Sequence, residues 1–457
     1  MRDIQPLVAP RSIAVLGAST TATKPGGVLF SNLLDGGFPG PLYPINPRAT
    51  EVRGVKAYPD LRRIPQPVDL VYIVLPNQQV EAAIQQCIEA KARAACIISG
   101  GFSEAGPAGK TLEDKIREVA KSAGLLLAGP NTIGMINAEC RMMGSFVTFP
   151  QWEKGNISIF AQTGIFAGAL MRQVMDSDVQ RLPISKSIDV GNKIDVDEVD
   201  FLDFVADDPE TKVIGIHVES ILNPTTFAQK ARALRGHKPI VLLMPGSTDP
   251  GKIASRYHTG SPPSDNAAIE AALEGTGILR VDDEDDFVNA LRALAMLPTA
   301  KGRRVGIATT SGALGVIATD LVTNYGLELA SYSPETLQKM STILPDWLTP
   351  ANPYDFWIGI DVKGPREAHE IALSAVFEDP NVDLIFCILL APPNADFPEV
   401  GDLLRRLRRR HNKPAVLVVY GSAGARWTRE VEGADLPVYS TVRAGARALK
   451  IVADAGA

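Results

Sequence analysis

One polar segment of the chain gathers residues that can do covalent chemistry. The stretch PGSTDPGKIASRYHTGSPPSD holds His258, with Lys252 and Arg256 close by in sequence. The strand-like run PIVLLMPG precedes it and the helix-like run NAAIEAALEG follows. With almost no apolar side chains, the segment reads as a loop, and a loop cannot bury its histidine in a core. Histidine can act as a nucleophile and form covalent intermediates. The two cations can hold an anion beside it. A solvated loop histidine is the plainer alternative. Glu219 ends another strand-like run, VIGIHVESI. A carboxylate there needs a partner. Histidine is a suitable one, because a carboxylate fixes the ring tautomer and supports its charge. His217 lies two residues earlier, on the same face of an extended strand, and reads as a core histidine.

Elements that could position such groups recur along the chain. SIAVLGAST, NISIFAQTG and RVGIATTSG are apolar runs ending in small-residue turns, each followed by a helix-compatible stretch. They fall roughly 145 residues apart, close to one domain length. Polar seams with Pro and Gly stand at PQWEKG and LPTAKGRR. These divide the chain into residues 1–148, 149–300 and 301–457. Strand-like runs and helical patterns alternate within each third, as in parallel α/β sheets. The expected fold class is therefore α/β, with three doubly wound domains, Rossmann-like first and flavodoxin-like after. Ligands in such sheets bind at the carboxyl ends of strands, where helix N-termini attract phosphate. Each opener is thus a candidate anion site, or simply a tight turn packing a helix on a sheet.

The first opener, GASTTATKPGG, lacks the GxGxxG spacing of a dinucleotide fingerprint. YPINPR closes the second strand with Asn46 and Arg48 where an acid would accept the ribose hydroxyls of NAD. Arg48 suits a phosphorylated ribose, as in NADP or coenzyme A. IISGGFSEAG and AGPNTIGMIN are further strand ends bearing small polar residues. The acids of SIDVGNKIDVDEVDFLDF (Asp189, Asp195, Asp197, Glu198) lack calcium-loop spacing and read as turn and helix-cap residues. DDEDD (Asp282 to Asp286) reads as helix N-terminal charge and RRLRRRH (Arg405 to His411) as a helix end. No metal site is expected.

The 457 residues suggest about three domains. A net charge of −6 makes no electrostatic case for nucleic acid or an anionic membrane. Four scattered cysteines without a CxxC pair suit a reducing cytosol. The opening MRDIQPLVAPRS has no apolar signal core, and runs such as LIFCILLA are too short to span a bilayer. A cytoplasmic location is expected.

Together these motifs resemble the ADP-forming acyl-CoA synthetases, relatives of succinyl-CoA ligase. IAVLGAS…KPGG, YPINPR, IISGGFSEAG and GPN-x-x-G look like that family's CoA-binding domain. IFAQTG, DVGNKIDVDEVD, HVESI and the HTG segment look like its second domain, and VGIATTSGALGV with NPYDF like its third. Thr132 stands where the family usually has Cys, Tyr257 where Ser is common, and SPPSD is one residue shorter than the usual ALAGSD.

The resemblance implies a phosphorylated histidine at His258 supported by Glu219. It implies coenzyme A on Gly17, Ser19, Lys24, Gly26, Arg48, Pro76, Ser99, Gly100 and Asn131. It implies phosphate on the turns Gln162, Thr163, Gly164 and Thr310, Ser311, Gly312. No stretch remains for an ATP-grasp domain, so the resemblance implies an α subunit in a hetero-oligomer. A separate ATP-grasp β subunit would hold ATP or ADP with Mg, and a carboxylic acid would be the substrate. A non-catalytic CoA or acyl-CoA sensor and an NADP-dependent oxidoreductase are the alternative readings.

Overall fold

The computed structural model describes residues 2–148, 154–169, 182–260, 266–391, 399–432 and 436–456. They form two compact units, the first holding the described residues up to Asp282 except Leu182, and the second Leu182 with those from Asp283 onward. The first unit contains two large sheets and a two-stranded antiparallel ribbon, Glu51–Val52 against Val55–Lys56, and the second unit contains one sheet.

The first sheet is parallel throughout, in the order β2–β1–β3–β4–β5. Its strands are β1 (Ile13–Leu16), β2 (Leu42–Ile45), β3 (Leu70–Ile73), β4 (Ala94–Ile97) and β5 (Leu126–Ala128). IAVL, LVYI and AACI are buried at every position, because helices cover both faces. Among these helices are α1 (Pro25–Asp35), α2 (Val80–Glu89) and α3 (Pro107–Ala123).

The second sheet comprises β6 (Gly134–Asn137), β7 (Met142–Ser145), β8 (Ile157–Ala161), β9 (Ile184–Asp189), β10 (Val213–His217), β11 (Ile240–Leu243) and β12 (Leu279–Val281). Their order is β12–β11–β10–β8–β9–β6–β7. The five strands from β8 to β12 run parallel. The β6–β7 hairpin adds antiparallel to β9, which a reading by strand–helix alternation does not anticipate. This hairpin ties the two sheets together. Asn32 of α1 donates to the carbonyls of Ser145 and Val147 at 2.7 and 3.0 Å. Asn137 donates to the Val8 carbonyl at 2.9 Å. One apolar core runs through Phe30, Tyr72, Met135, Phe160 and Leu242.

Three helices of this unit bear on the site: α4 (Glu198–Ala206), α5 (Pro224–Leu234) and α6 (Asp249–Thr259). Asp197 caps α4 in a reciprocal capping box with Asp200, as the cap reading of that acidic run expects. The segment read as a loop around His258 is instead α6. The Thr248 hydroxyl accepts from the Gly251 N–H, Pro250 sits in the first turn, and Gly260 closes the helix in the left-handed conformation. Caps at both ends, rather than an apolar stripe, define it. SPPSD (261–265) lies outside the described residues.

The second unit orders its strands β14–β13–β16–β17–β18, with β15 also on β13. They are β13 (Arg304–Thr309), β14 (Glu328–Leu329), β15 (Tyr354–Asp355), β16 (Leu384–Leu390), β17 (Ala415–Tyr420) and β18 (Val438–Tyr439). All their pairings are parallel. The acids of DDEDD open the helix α7 (Glu284–Met296), capped by Asp283. Helix α8 (Gly312–Asn324) follows β13, and the basic run ends α9 (Val400–His411). No helix among the described residues is long and apolar enough to cross a membrane.

Candidate active site

In the second sheet β8 lies between β9 and β10, so the chain leaves β8 first to one side and later returns on the other. The crevice beyond the carboxyl ends of β8 and β10 is the switch point where such sheets bind ligands. Gln162 follows β8 and Glu219 follows β10. The Gln162 N–H donates to the His217 carbonyl at 2.9 Å, and the Glu219 N–H donates to Gln162 Oε1 at 3.0 Å. Glu219 is thereby pinned by its backbone while its carboxylate turns to α6. His258 Nδ1 lies 2.5 Å from Oε1, and the Thr259 hydroxyl donates to Oε2, also at 2.5 Å. A proton on Nδ1 shared with the carboxylate leaves the Nε2 lone pair free. The His258 side chain is 55% exposed while that of Glu219 is only 6% exposed. A ring nitrogen is thus presented to solvent from a buried anchor.

The remaining cations of α6 are arranged differently. Lys252 lies 3.5 Å from Asp249. Lys252 and Arg256 sit six and two residues from His258, spacings that turn both off its face of the helix. His217 is 3% exposed, and its ring stacks on Phe166 at 4.3 Å. Burial, helped by the charge of His258, holds its imidazole down at about 4, so it is neutral at physiological pH. That matches its reading as a core histidine.

The turn after β9 closes the site from another side. The Asp189 carboxylate accepts from the N–H groups of Ile133 and Gly191 at 2.7 and 3.0 Å. Complete burial pushes its carboxyl up to about 6, against those hydrogen bonds and the nearby His258 charge. The Asn192 amide donates to Glu104 at 2.6 Å, Glu113 at 3.0 Å and Ser103 at 3.1 Å. A β-carbon at Gly260, the end of α6, would come within 2.3 Å of the Ser103 hydroxyl. The loop after β4, the turn after β9 and the end of α6 therefore meet. Sequence reasoning overlooked Asn192, Lys193 and Thr259 as parts of this assembly. The direct adjacency of Thr259 to His258 was the available signal.

The expected coenzyme A residues line the carboxyl edge of the first sheet. A β-carbon on Gly26 would strike the Gly17 carbonyl at 2.1 Å, so α1 begins backbone-to-backbone against the first turn. Ser19 shapes that turn by accepting from the Thr21 N–H at 3.1 Å. Lys24 is the exposed N-cap of α1. Asn46 bridges the Ala18 carbonyl and the Arg48 N–H, which sets the exposed Arg48 beside the same turn. Ser99 donates to the Leu75 carbonyl at 2.5 Å, next to the exposed Pro76, and its own carbonyl accepts from the Asn131 N–H at 2.8 Å. The side chain of Asn131 faces Gly100. A helix start flanked by two exposed cations and an open glycine edge is chemically suited to an anionic nucleotide.

Of the phosphate candidates, Gln162 is committed to Glu219. Thr163 and Gly164 follow it, with Gly164 packed on Ile133. In the second unit the Thr310 hydroxyl is held by the Leu390 N–H at 2.9 Å, while Gly312 opens α8 facing Asp355. The Ser311 N–H is taken by Thr309 Oγ1 at 3.0 Å.

Comparison with known proteins matches residues 11–138 to the CoA binding domain family and residues 154–294 to the succinyl-CoA ligase like flavodoxin domain. The chain is 36% identical over 445 residues to acetate–CoA ligase [ADP-forming] II of Archaeoglobus fulgidus, covering 96% of this chain but 65% of that longer protein. It is 31% identical to acetate–CoA ligase [ADP-forming] II subunit alpha of Pyrococcus furiosus, covering 94% of this chain and 93% of the relative. A solved structure of the Ca. Korarchaeum cryptofilum dinucleotide forming acetyl-coenzyme A synthetase 1, in complex with phosphate and ADP, superposes with a TM-score of 0.90 at 30% identity. The match covers 100% of this chain and 97% of that one. By this near end-to-end likeness, the chain belongs to the ADP-forming acetate–CoA ligase family.

Proposed function

We propose that the chain is the α subunit of an ADP-forming acyl-CoA synthetase, joining a carboxylic acid to CoA at the expense of ATP. The observation that carries this reading is the exposed His258 held at Nδ1 by the buried Glu219, at a sheet switch point. His258 Nε2 takes the γ-phosphoryl group of ATP, forming an N–P bond as the bond to ADP breaks. A substrate carboxylate oxygen then attacks that phosphorus, and the N–P bond breaks to leave an acyl phosphate. Bound CoA supplies the thiol that attacks the acyl carbon, releasing inorganic phosphate. Two easier steps thus replace one difficult one.

Glu219 holds the ring and supports its charge in each phosphorylated state. Gly17, Ser19, Lys24, Gly26 and Arg48 hold the nucleotide end of CoA, and Pro76, Ser99, Gly100 and Asn131 line its path. Thr163 and Gly164 serve phosphate in the first unit, with Gln162 bracing Glu219 beside them, and the Thr310, Ser311 and Gly312 turn serves it in the second. The working divisions are 1–148, 149–300 and 301–457. The likeness to the Pyrococcus furiosus subunit alpha, over 93% of that relative, supports placing ATP and Mg on a separate ATP-grasp β subunit. The pair works in the cytoplasm as a hetero-oligomer.

The test is labelling in the presence of a co-expressed ATP-grasp chain. With [γ-32P]ATP, or with acetyl-CoA plus [32P]phosphate, the chain gains acid-labile, base-stable phosphate, and His258→Ala gains none. Label that persists in His258→Ala, or none on the wild type from either direction, overturns the reading.

A further inference from the structure

Lys193 occupies the turn after β9 with φ 56°, a conformation that side-chain-bearing residues rarely adopt. Its ammonium is buried, with the side chain 2% exposed. It donates to Glu198 Oε2 at 2.7 Å and to the Ser220 carbonyl at 2.6 Å. Glu198 is itself fully buried, at the first position of α4, where free N–H groups favour a carboxylate. Ser220 directly follows Glu219. The lysine therefore grips the backbone one residue beyond the carboxylate that holds His258.

Stability alone does not account for this pair. Buried ions are costly to desolvate, and apolar residues of the same volume serve a core as well or better. The cost is raised here because Glu198 Oε1 has no hydrogen-bond partner among the described residues. An apolar pair cannot hold the Ser220 carbonyl. The neighbouring Asn192 anchors the same turn to Glu104 and Glu113, so the lysine reaches out from a fixed base.

We propose that Lys193 is a positioning residue: its hydrogen bond to the Ser220 carbonyl sets the backbone from which Glu219 reaches His258 Nδ1. Glu198 keeps the ammonium charged and aimed. The inference rests on the phosphohistidine reading above.

The full chain with its ATP-grasp partner provides the test. Lys193→Met/Glu198→Leu removes both charges and keeps the core filled. It is expected to melt at or above the wild-type temperature. Phosphate should nevertheless reach His258 from ATP about tenfold to a hundredfold more slowly, as misplacement of a catalytic group does. KM for CoA should be unchanged. Wild-type labelling rates in this variant overturn the proposal. Glu198→Gln covers the case in which the double variant fails to fold. It preserves volume but leaves the ammonium without a counter-charge to aim it, so His258 should be labelled about tenfold more slowly with KM for CoA unchanged. Wild-type labelling in this variant likewise overturns it. A wild type that takes no label sinks the functional reading itself, whereas a labelled wild type with equally fast variants sinks only the role of Lys193.

Discussion

A buried carboxylate that accepts from a histidine on one oxygen and a hydroxyl on the other is set in both tilt and rotation. Glu219 cannot swing without breaking one of the two bonds, and its N–H is fixed by Gln162. Glu219→Gln keeps the shape and removes the charge that, in the proposed phosphohistidine mechanism, supports the imidazole. A hydrogen bond to a charged group is worth roughly 1.5–3 kcal/mol, so turnover should fall about tenfold to a hundredfold. Steady-state rates would show this, with KM for CoA unchanged, and a variant as fast as the wild type would refute it. The pairing of His258 with Glu219 was legible in the sequence, because a carboxylate at a strand end needs a partner. Lys193 was not. Its partner atom is the Ser220 backbone carbonyl, and only the folded approach of two turns creates that contact. Asp197 was legible as a helix cap, since capping is a local property, whereas Asp195 instead accepts from the distant Leu127 N–H and pairs with Arg2, and Asp189 holds the distant Ile133 N–H as well as the local Gly191 N–H.

The helix bearing His258 shows what apolar patterning overlooks. PGSTDPGKIASRYHTG has few apolar residues, so it reads as loop, yet Thr248, Pro250 and Gly260 are the start and stop signals of a helix. Gly260 does two jobs. Its φ of 66° suits glycine, and the space beside it is filled by Ser103. Gly236 is a natural control, with φ 76° and nothing within 4 Å of an added β-carbon. Gly236→Ala should carry only the backbone penalty, about 1 kcal/mol. Gly260→Ala should lower the melting temperature further and also depress activity, because the end of α6 must move. Equal losses in the two variants, or undiminished turnover in Gly260→Ala, would refute this. The strands of the three openers, by contrast, were legible, since buried parallel strands are apolar throughout; helices follow the first and third, while most of the stretch after the second, IFAGALMRQVMD, lies outside the described residues.

At the scale of the whole molecule, the two units carry different acid responses. His369, in the second unit, is held by burial at about 4, so it stays neutral when folded and gains a proton when unfolded below about 6.5. That contribution is complete above pH 6.5. It is lost as pH falls towards 4, up to roughly 3 kcal/mol. In the first unit His217 behaves the same way, but Asp189, raised to about 6, holds a proton when folded and opposes it across the same range. Urea denaturation at pH 5 and pH 7.5 should therefore show a smaller acid loss for His369→Phe than for the wild type. An equal loss in both would count against the assignment.

The repeat of three openers made three sheets legible. The common core of the first two was not, because it depends on Asn32 and Asn137 meeting distant carbonyls. The β6–β7 hairpin follows β5 directly in the chain yet completes the sheet that comes after. A fragment cut near residue 148 would carry β6 with its β9-facing edge bare, an invitation to aggregate. For anyone trimming, permuting or transplanting this protein, the smallest separable piece containing the first sheet extends to Asp282.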